Sequence, residues 1–239
     1  YEDELIEILD FYHHPVGSRR AVDFNQGMDA RQLTDKKMKI LSRIPIEPFR
    51  LAFDRIEYKD IYSKALKIAA KYEVKSFSNY ILYNCDDKPE ESWERLKVNV
   101  DLAKELDVKI FSFPMKYAPI DRIDRKYVGK FWNRQYLKNI YAILNVTKGI
   151  VADGENFFYK AFGRNIDEFY MILSMPKEFV TYRAYFEQNG LAIEWREKFL
   201  QLSLEEREEL LDVLSEEKTT QNSRLVELLG YYSIKKGTE

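Results

Sequence analysis

Lys75-Ser-Phe-Ser-Asn-Tyr-Ile-Leu-Tyr83 is followed by Asn84-Cys-Asp-Asp-Lys-Pro89 and then by a segment in which Trp93, Leu96, Val100 and Ala103 recur at spacings of three and four. Aromatic and β-branched residues ended by a polar turn read as a strand, and the spacing that follows reads as one apolar helix face. Pro89 suits a first helical turn, where a missing N–H costs nothing. Working outward, Phe49–Asp54 reads as a second strand, approached through Pro45 and Pro48, which cannot sit in a central strand. A helix from about Lys59 to Tyr72, with Ile61, Ala65, Ile68 and Ala69 on one stripe, joins the two. Lys109–Phe113, closed by Pro114, is a further strand. Ala21–Asn25, ended by Gln26-Gly27, is another, and Thr34 is an N-cap for a helix carrying Met38 and Leu41.

Strands alternating with helices of this length call for parallel pairing, because a parallel pair needs a crossover of a dozen or more residues. The expected fold class is α/β, with a parallel sheet wound as a barrel or as an open doubly wound sheet. Within the strands, Asp23 and Asn25 share one face and Val22 and Phe24 the other, while Arg50, Ala52 and Asp54 oppose Phe49, Leu51 and Phe53. A parallel sheet covered on both sides reads as nearly continuous apolar residues. Polar residues on one face here fit an open surface that receives a polar ligand; the alternative is mutual pairing, Arg50 with Asp23 or Asp54. Beyond about residue 120 the β signal gives way to helices at Arg134–Leu144, Glu155–Ala161, Ile166–Leu173, Leu191–Leu200, Ser203–Ser215 and Asn222–Leu229. Ser203-Leu-Glu-Glu206 is a capping box. The domain expectation is residues 1–120 for the βα part and 121–239 for the helical part.

The 239 residues, 45% hydrophobic with 9 Gly and 7 Pro, exclude collagen-like and low-complexity chains. Thirty-eight basic against 40 acidic residues leave a net charge of -2, so no global polyanion partner is indicated. A single cysteine, Cys85, excludes an internal disulfide and a metal or iron–sulfur site made of this chain's thiolates alone. Beside Asp86 and Asp87 it reads as inert. His13 and His14 are adjacent and point apart on a helix, so they do not suit a shared metal. No apolar run approaches bilayer length and the acidic start is no signal peptide, so a cytoplasmic protein is expected. The chain opens on Tyr1 within a helical pattern of Leu5, Ile8, Leu9 and Tyr12, and the expectation is a fragment.

Val22-Asp-Phe-Asn-Gln-Gly-Met-Asp-Ala-Arg31 places two carboxylates, two amides and a guanidinium around a glycine, although neither G-x-G-x-x-G nor G-K-[ST] occurs. Taken in order with Arg50–Asp54 (RLAFD), Ser78–Asp87 (SNYILYNCDD), Pro89-Glu90-Glu91 and Ser112–Tyr117 (SFPMKY), this run resembles the C-terminal half of a radical S-adenosylmethionine (SAM) protein. The likeness spans about Ala21 to Phe162, including Gly129–Asn133 and Phe157–Phe162. The resemblance implies the later strands of a TIM-type βα barrel, with SAM and a [4Fe–4S] cluster as cofactors, an electron donor such as flavodoxin or ferredoxin, and cleavage of SAM to a 5′-deoxyadenosyl radical that attacks an unnamed substrate. By motif, Asn25, Gln26, Asp29 and Arg31 fall at the fourth strand, Arg50 and Asp54 at the fifth, and Asn79 and Asn84 at the sixth, as SAM-holding positions. The Cys-x3-Cys-x2-Cys loop that holds the cluster is absent, so the fragment alone is expected to be inactive.

Other stretches carry two readings each. Between Lys116 and Lys138 seven basic residues face two acidic ones and interleave with Tyr117, Tyr127, Phe131, Trp132 and Tyr136. That is the footprint of a single-stranded nucleic-acid groove, or of aromatics packing while the bases stay solvated; a non-catalytic nucleic-acid-binding module is accordingly the alternative function. Gly149–Phe158, with Asp153 as an N-cap, is a helix start able to receive an anion or simply to be capped. Glu205, Glu206, Glu208 and Glu209 read as a solvated helix side opposite Leu204, Leu210, Leu211 and Leu214.

Overall fold

A computed structural model describes residues 3–4, 6–8, 21–122, 126–216 and 218–237. Residues 3–4 and 6–8 are helical, and Leu5, Leu9, Tyr12, His13, His14 and Arg125 lie outside the described residues. The chain forms two compact units. The first takes residues 1–83, 91–116 and 150–158; the second takes 84–90, 117–149 and 159–239. The return of 150–158 to the first unit is not contained in a boundary at residue 120. Among the described residues no helix is long and apolar enough to cross a membrane.

The first unit is α/β. Strands β1 (Phe49–Arg50), β2 (Ser76–Tyr83) and β3 (Lys109–Lys116) form a parallel sheet in the order β1-β2-β3. Arg50 stands in register with Ser78, and Tyr80 with Phe113. Helix α1 (Asp35–Leu41) begins at Thr34, whose side chain accepts from the Lys37 N–H, as its sequence position indicates. Helix α2 (Lys59–Lys71) connects β1 to β2 and α3 (Pro89–Leu106) connects β2 to β3. The strands bury Phe49, Phe77 and Ile110, and the segment after β1 buries Leu51 and Phe53, in one core with Leu66, Ala69 and Leu102 of the helices. Phe53 stacks on Tyr62 with ring centres 4.2 Å apart.

Three expectations are corrected in this unit. Ala21–Asn25 is not a strand; it contributes a single bridge, Val22 to Ile46, and Met28 bridges Leu51 after the turn at Gly27. Pro45 lacks the N–H that would extend the ladder on one side of the bridge, and on the other the Phe24 carbonyl is taken by the Gly27 N–H of the turn at 2.7 Å. Pro114 does not close β3, which runs on to Lys116. The Ser112 N–H points away from β2 and donates to Val151 O at 2.9 Å, so Pro114, two residues on, lacks its N–H on that same outer side. Asp153 does not cap the helix that follows it: its Oδ2 accepts from the Ile110 N–H at 2.8 Å, while the Gly154 carbonyl accepts the first bond, from Phe158, of α5 (Glu155–Phe162).

The second unit is helical, with α4 (Arg134–Val146), α6 (Ile166–Ser174), α7 (Lys177–Thr181), α8 (Arg183–Gln188), α9 (Leu191–Leu200), α10 (Leu204–Glu216) and α11 (Ser223–Gly230). Helix α4 packs against α6, α7 and α10. Gln135 and Asn139, one turn apart on α4, reach the C-terminal carbonyls of α6: Gln135 Nε2 donates to Met175 O at 2.9 Å and Asn139 Nδ2 to Leu173 O at 2.9 Å. Buried carbonyls left over at a helix end are thereby satisfied by side chains. The capping box is reciprocal, with the Ser203 N–H donating to Glu206 Oε2 at 2.9 Å and the Glu206 N–H to Ser203 Oγ at 3.2 Å.

Candidate functional site

Side chains alternate across a strand, so the residues between the core positions of β1–β3 project on the opposite face of the sheet. Those residues are Arg50, Ser78, Tyr80, Phe111 and Phe113. Arg50 is the centre of the group. Its Nε donates to Asp23 Oδ1 at 2.7 Å, its Nη2 to Asp23 Oδ2 at 3.0 Å, and its Nη1 to Ser78 Oγ at 2.9 Å. The guanidinium carbon lies 5.7 Å from the ring centres of both Tyr80 and Phe113. Tyr80 OH donates to Asn25 Oδ1 at 3.3 Å. The Arg50 side chain is only 12% exposed, against 39% for Asp23, so the cation is largely enclosed and its counter-ion faces solvent. Hydrogen bonding to Arg50 holds the Asp23 carboxyl below its ordinary range, and Asp23 in turn raises Arg50. The pairing considered from sequence, Arg50 with Asp23, is present and is built into a ring-lined polar surface.

The other residues named from sequence fall in different places. Gln26 is exposed in the turn before Gly27. Asp29 and Arg31 satisfy each other: Asp29 caps a short 3-10 turn and takes a two-pronged bond from Arg31 Nε and Nη2, the latter at 2.8 Å. Asp54 follows β1, and desolvation lifts its carboxyl above the ordinary value against the pull of Arg95 and Arg55. Asn79 projects to the helix side, where its Nδ2 donates to Tyr62 OH at 2.6 Å; Tyr62 OH donates to Asn99 Oδ1 at 2.9 Å and Asn99 Nδ2 to Ser112 Oγ at 2.9 Å. Burial pushes the Tyr62 phenol up, so this chain of groups is neutral. Asn84 belongs to the second unit. Its Nδ2 donates to Tyr117 O and Tyr127 O, both at 3.1 Å, and its Oδ1 accepts from the Gly129 N–H at 2.8 Å. Within the first unit the structure therefore brings Asn25 and Arg50 together and leaves Asp54 and Asn79 apart from them.

Sequence reasoning passed over Ser78, Tyr80 and Phe113 as site residues, and named Asp23 on the polar strand face or as a partner of Arg50 but not among the SAM-holding positions. Period-two alternation places Ser78 and Tyr80 on one face, but the register that lays them beside Arg50 is a property of the sheet. It also passed over Arg95, which is wholly buried and donates to Asp54 O, to Leu82 O at 2.9 Å and to Glu91 O at 3.2 Å. Arg95 thus gathers carbonyls where the chain leaves β1 and β2. A cavity of about 280 Å³ lies elsewhere in this unit, among Met38, Leu41, Ile44, Phe49, Tyr72 and Val74.

Among the described residues no group of three or more His, Cys, Asp or Glu is placed to hold a metal ion. Cys85, partly exposed, is the chain's one thiol, and one thiolate does not hold a [4Fe–4S] cluster. The residues present do not fit a cluster. The donor set is compatible with SAM: Asp23 and Asn25 carry acceptor oxygens of the kind ribose hydroxyls need, Arg50 retains one N–H on each terminal nitrogen beyond its three bonds, and Tyr80 and Phe113 offer aromatic faces. The chain matches no protein-family model, no curated protein and no solved structure.

Proposed function

We propose that the first unit is the later-strand part of a βα barrel of the radical SAM type and that it binds SAM on the sheet face centred on Arg50. The observation that supports this reading is the hydrogen-bonded cluster of Asp23, Arg50 and Ser78, with Arg50 over the adjoining rings of Tyr80 and Phe113, on the side of a parallel sheet turned away from its core. In α/β proteins polar ligands gather at the sheet where connections leave the strands. The ordered motifs from Val22 to Tyr117 add the family to that geometry.

In this reading Arg50 is positioned by Asp23, whose carboxylate fixes the plane of the guanidinium, and its remaining donors address the methionyl carboxylate. Asp23 and Asn25 accept from the ribose hydroxyls, and the adenine lies against an aromatic face. SAM supplies a sulfonium centre whose carbon–sulfur bonds are the reactive ones. The residues of this chain bind and orient it and keep water from that side.

Ultraviolet cross-linking of SAM to the purified chain, followed by peptide mapping, tests the reading. Label within residues 22–31, 49–54 or 76–83 supports it. Label confined to other segments, or none that unlabelled SAM competes away, overturns it.

A further inference from the structure

From Arg125 to Ala152 the chain carries six basic residues and no acidic one, although acidic residues outnumber basic ones overall by 40 to 38. The structure sets two of these cations on one side of a helix, with Lys126 and Lys130 just before it and Lys148 just after. Arg134, Lys138 and Tyr141 follow one another at i, i+4 and i+7 along α4, and all three are exposed. Over those seven residues the helix rises roughly 10 Å, so two cations and a ring stand in a row. Just before the helix, Phe131 is 41% exposed with Lys130 Nζ 5.1 Å and Lys88 Nζ 5.9 Å from its ring centre. Helix α7, which packs on α4, begins with Lys177.

The charge is uncompensated. Among the described residues none of Lys130, Arg134, Lys138 and Lys177 has a carboxylate within ion-pair distance, whereas Lys235 has Glu178 at 3.8 Å. Desolvation, then the neighbouring charges of Lys177 and Lys235, pulls the Lys138 ammonium below its ordinary value. Holding like charges together costs free energy that an anion recovers. Acidic groups near the patch include Glu90, which pairs with Lys88, Glu178, Asp87, whose carbonyl accepts from the Trp132 indole, and Asp86 beside Tyr127. Exposed rings interleave with the cations throughout: Phe131, Tyr141, and Tyr182, over which Lys236 Nζ sits at 4.7 Å.

We propose that this face of the second unit binds single-stranded nucleic acid, with Arg134, Lys138 and Lys177 on the phosphates and Phe131 and Tyr141 stacking on bases. Unpaired cations spaced along a helix recognise a chain of phosphates, and exposed rings among them distinguish a strand with free bases from any other polyanion. The assignment stands on the second unit alone and does not depend on SAM binding by the first.

Fluorescence anisotropy of a labelled 20-nucleotide oligo-U, titrated with the full chain from 50 to 300 mM KCl, tests it. The wild type binds, and affinity falls steeply with salt. Reversing Arg134, Lys138 and Lys177 to Glu weakens binding by at least roughly 30-fold at 100 mM KCl and lowers the salt slope by about two, because about 0.7 counterion is released per single-strand phosphate contact. Reversing Lys36, Lys39 and Lys64 of the first unit, an equal change of net charge, leaves it within about threefold. The neutral change of Phe131 and Tyr141 to Ala weakens it about tenfold or more. No binding at 50 mM KCl, equal losses in the two charge-reversed variants, or heparin and anionic vesicles bound as tightly with no dependence on the rings would each overturn the proposal.

Discussion

The Arg50 guanidinium meets the Asp23 carboxylate side-on, Nε to Oδ1 at 2.7 Å and Nη2 to Oδ2 at 3.0 Å, across 27 positions of sequence. Asp23 is not in a strand, so this pair, with the Val22–Ile46 bridge, ties the segment before Gly27 to the sheet. The energetic weight of the contact is small because one partner faces water. Exposed pairs contribute about 1 kcal/mol or less, and Asp23→Asn is expected to lower stability by no more than that in urea denaturation.

The sign of the pH effect follows from the lowered Asp23 value. A carboxyl held below its ordinary 3.8 adds stability above that pH and loses it as the pH falls through the folded-state value. The acid limb of the stability curve, below about pH 4, is therefore expected to be shallower in Asp23→Asn than in the wild type. Equal slopes would show that the pair does not titrate as described.

Tyr62, Asn79, Asn99 and Ser112 form a polar chain inside the first unit's core. Tyr62→Phe removes the hydroxyl that accepts from Asn79 and donates to Asn99, leaving Asn79 Nδ2 and Asn99 Oδ1 without that partner, at a cost of about 1 kcal/mol or more for each. Asn79 Oδ1 already lacks a partner. Chemical denaturation of Tyr62→Phe should show a loss of about 2 kcal/mol, and the phenol should not ionise in the folded wild type before the exposed tyrosines do.

In the second unit a Cβ on Gly129 would stand 2.4 Å from Cys85 O and 2.9 Å from Asn84 O. Gly129→Ala is expected to lower stability by more than about 2 kcal/mol, since backbone rather than a movable side chain is in the way. Asn84 sits at φ 68, a conformation that Gly and Asn accept more readily than Ala. Asn84→Ala should therefore be less stable than Asn84→Gly by about 1 kcal/mol, although both lose the same three hydrogen bonds. Thermal melts of the three variants decide this order.

Tyr136 is pushed up to about 12, chiefly by burial. A phenol whose folded value is raised favours the folded state below its ordinary value of 10 and loses that contribution as the pH rises toward 12. Tyr136→Phe is expected to flatten the decline in stability between pH 10 and 12, a difference of about 2 kcal/mol at most.

Much of the fold was legible from periodicity. Thr34, Pro89, Ser203 and Glu206 marked helix starts because a cap is a local hydrogen bond between near neighbours. Lys177–Thr181 and Arg183–Gln188 were not read as helices, being too short to repeat a 3.6-residue pattern. Alternation in Ala21–Asn25 reads as a strand, while one limit on its ladder, Pro45, lies in its partner and the other is the turn bond from the Gly27 N–H to the Phe24 carbonyl. The candidate site was half legible. Arg50 follows from alternation within its strand and Asn25 from its place before the Gly27 turn, but the nearness of Ser78, Tyr80 and Phe113 depends on register, and Asn79 faces the helix side of β2 while Asn84 lies beyond the strand in the second unit. Arg95 gave no signal at all, since a buried guanidinium serving carbonyls looks in sequence like one more charge on a helix.

The most direct measurement is calorimetric titration of the purified chain with SAM, beside Arg50→Ala and a control variant, Arg31→Ala. Saturable one-site binding is expected, at least tenfold weaker in Arg50→Ala and nearly unchanged in Arg31→Ala, whose guanidinium is bonded to Asp29. Binding that Arg50→Ala leaves intact, or no heat of binding up to millimolar SAM, would contradict it.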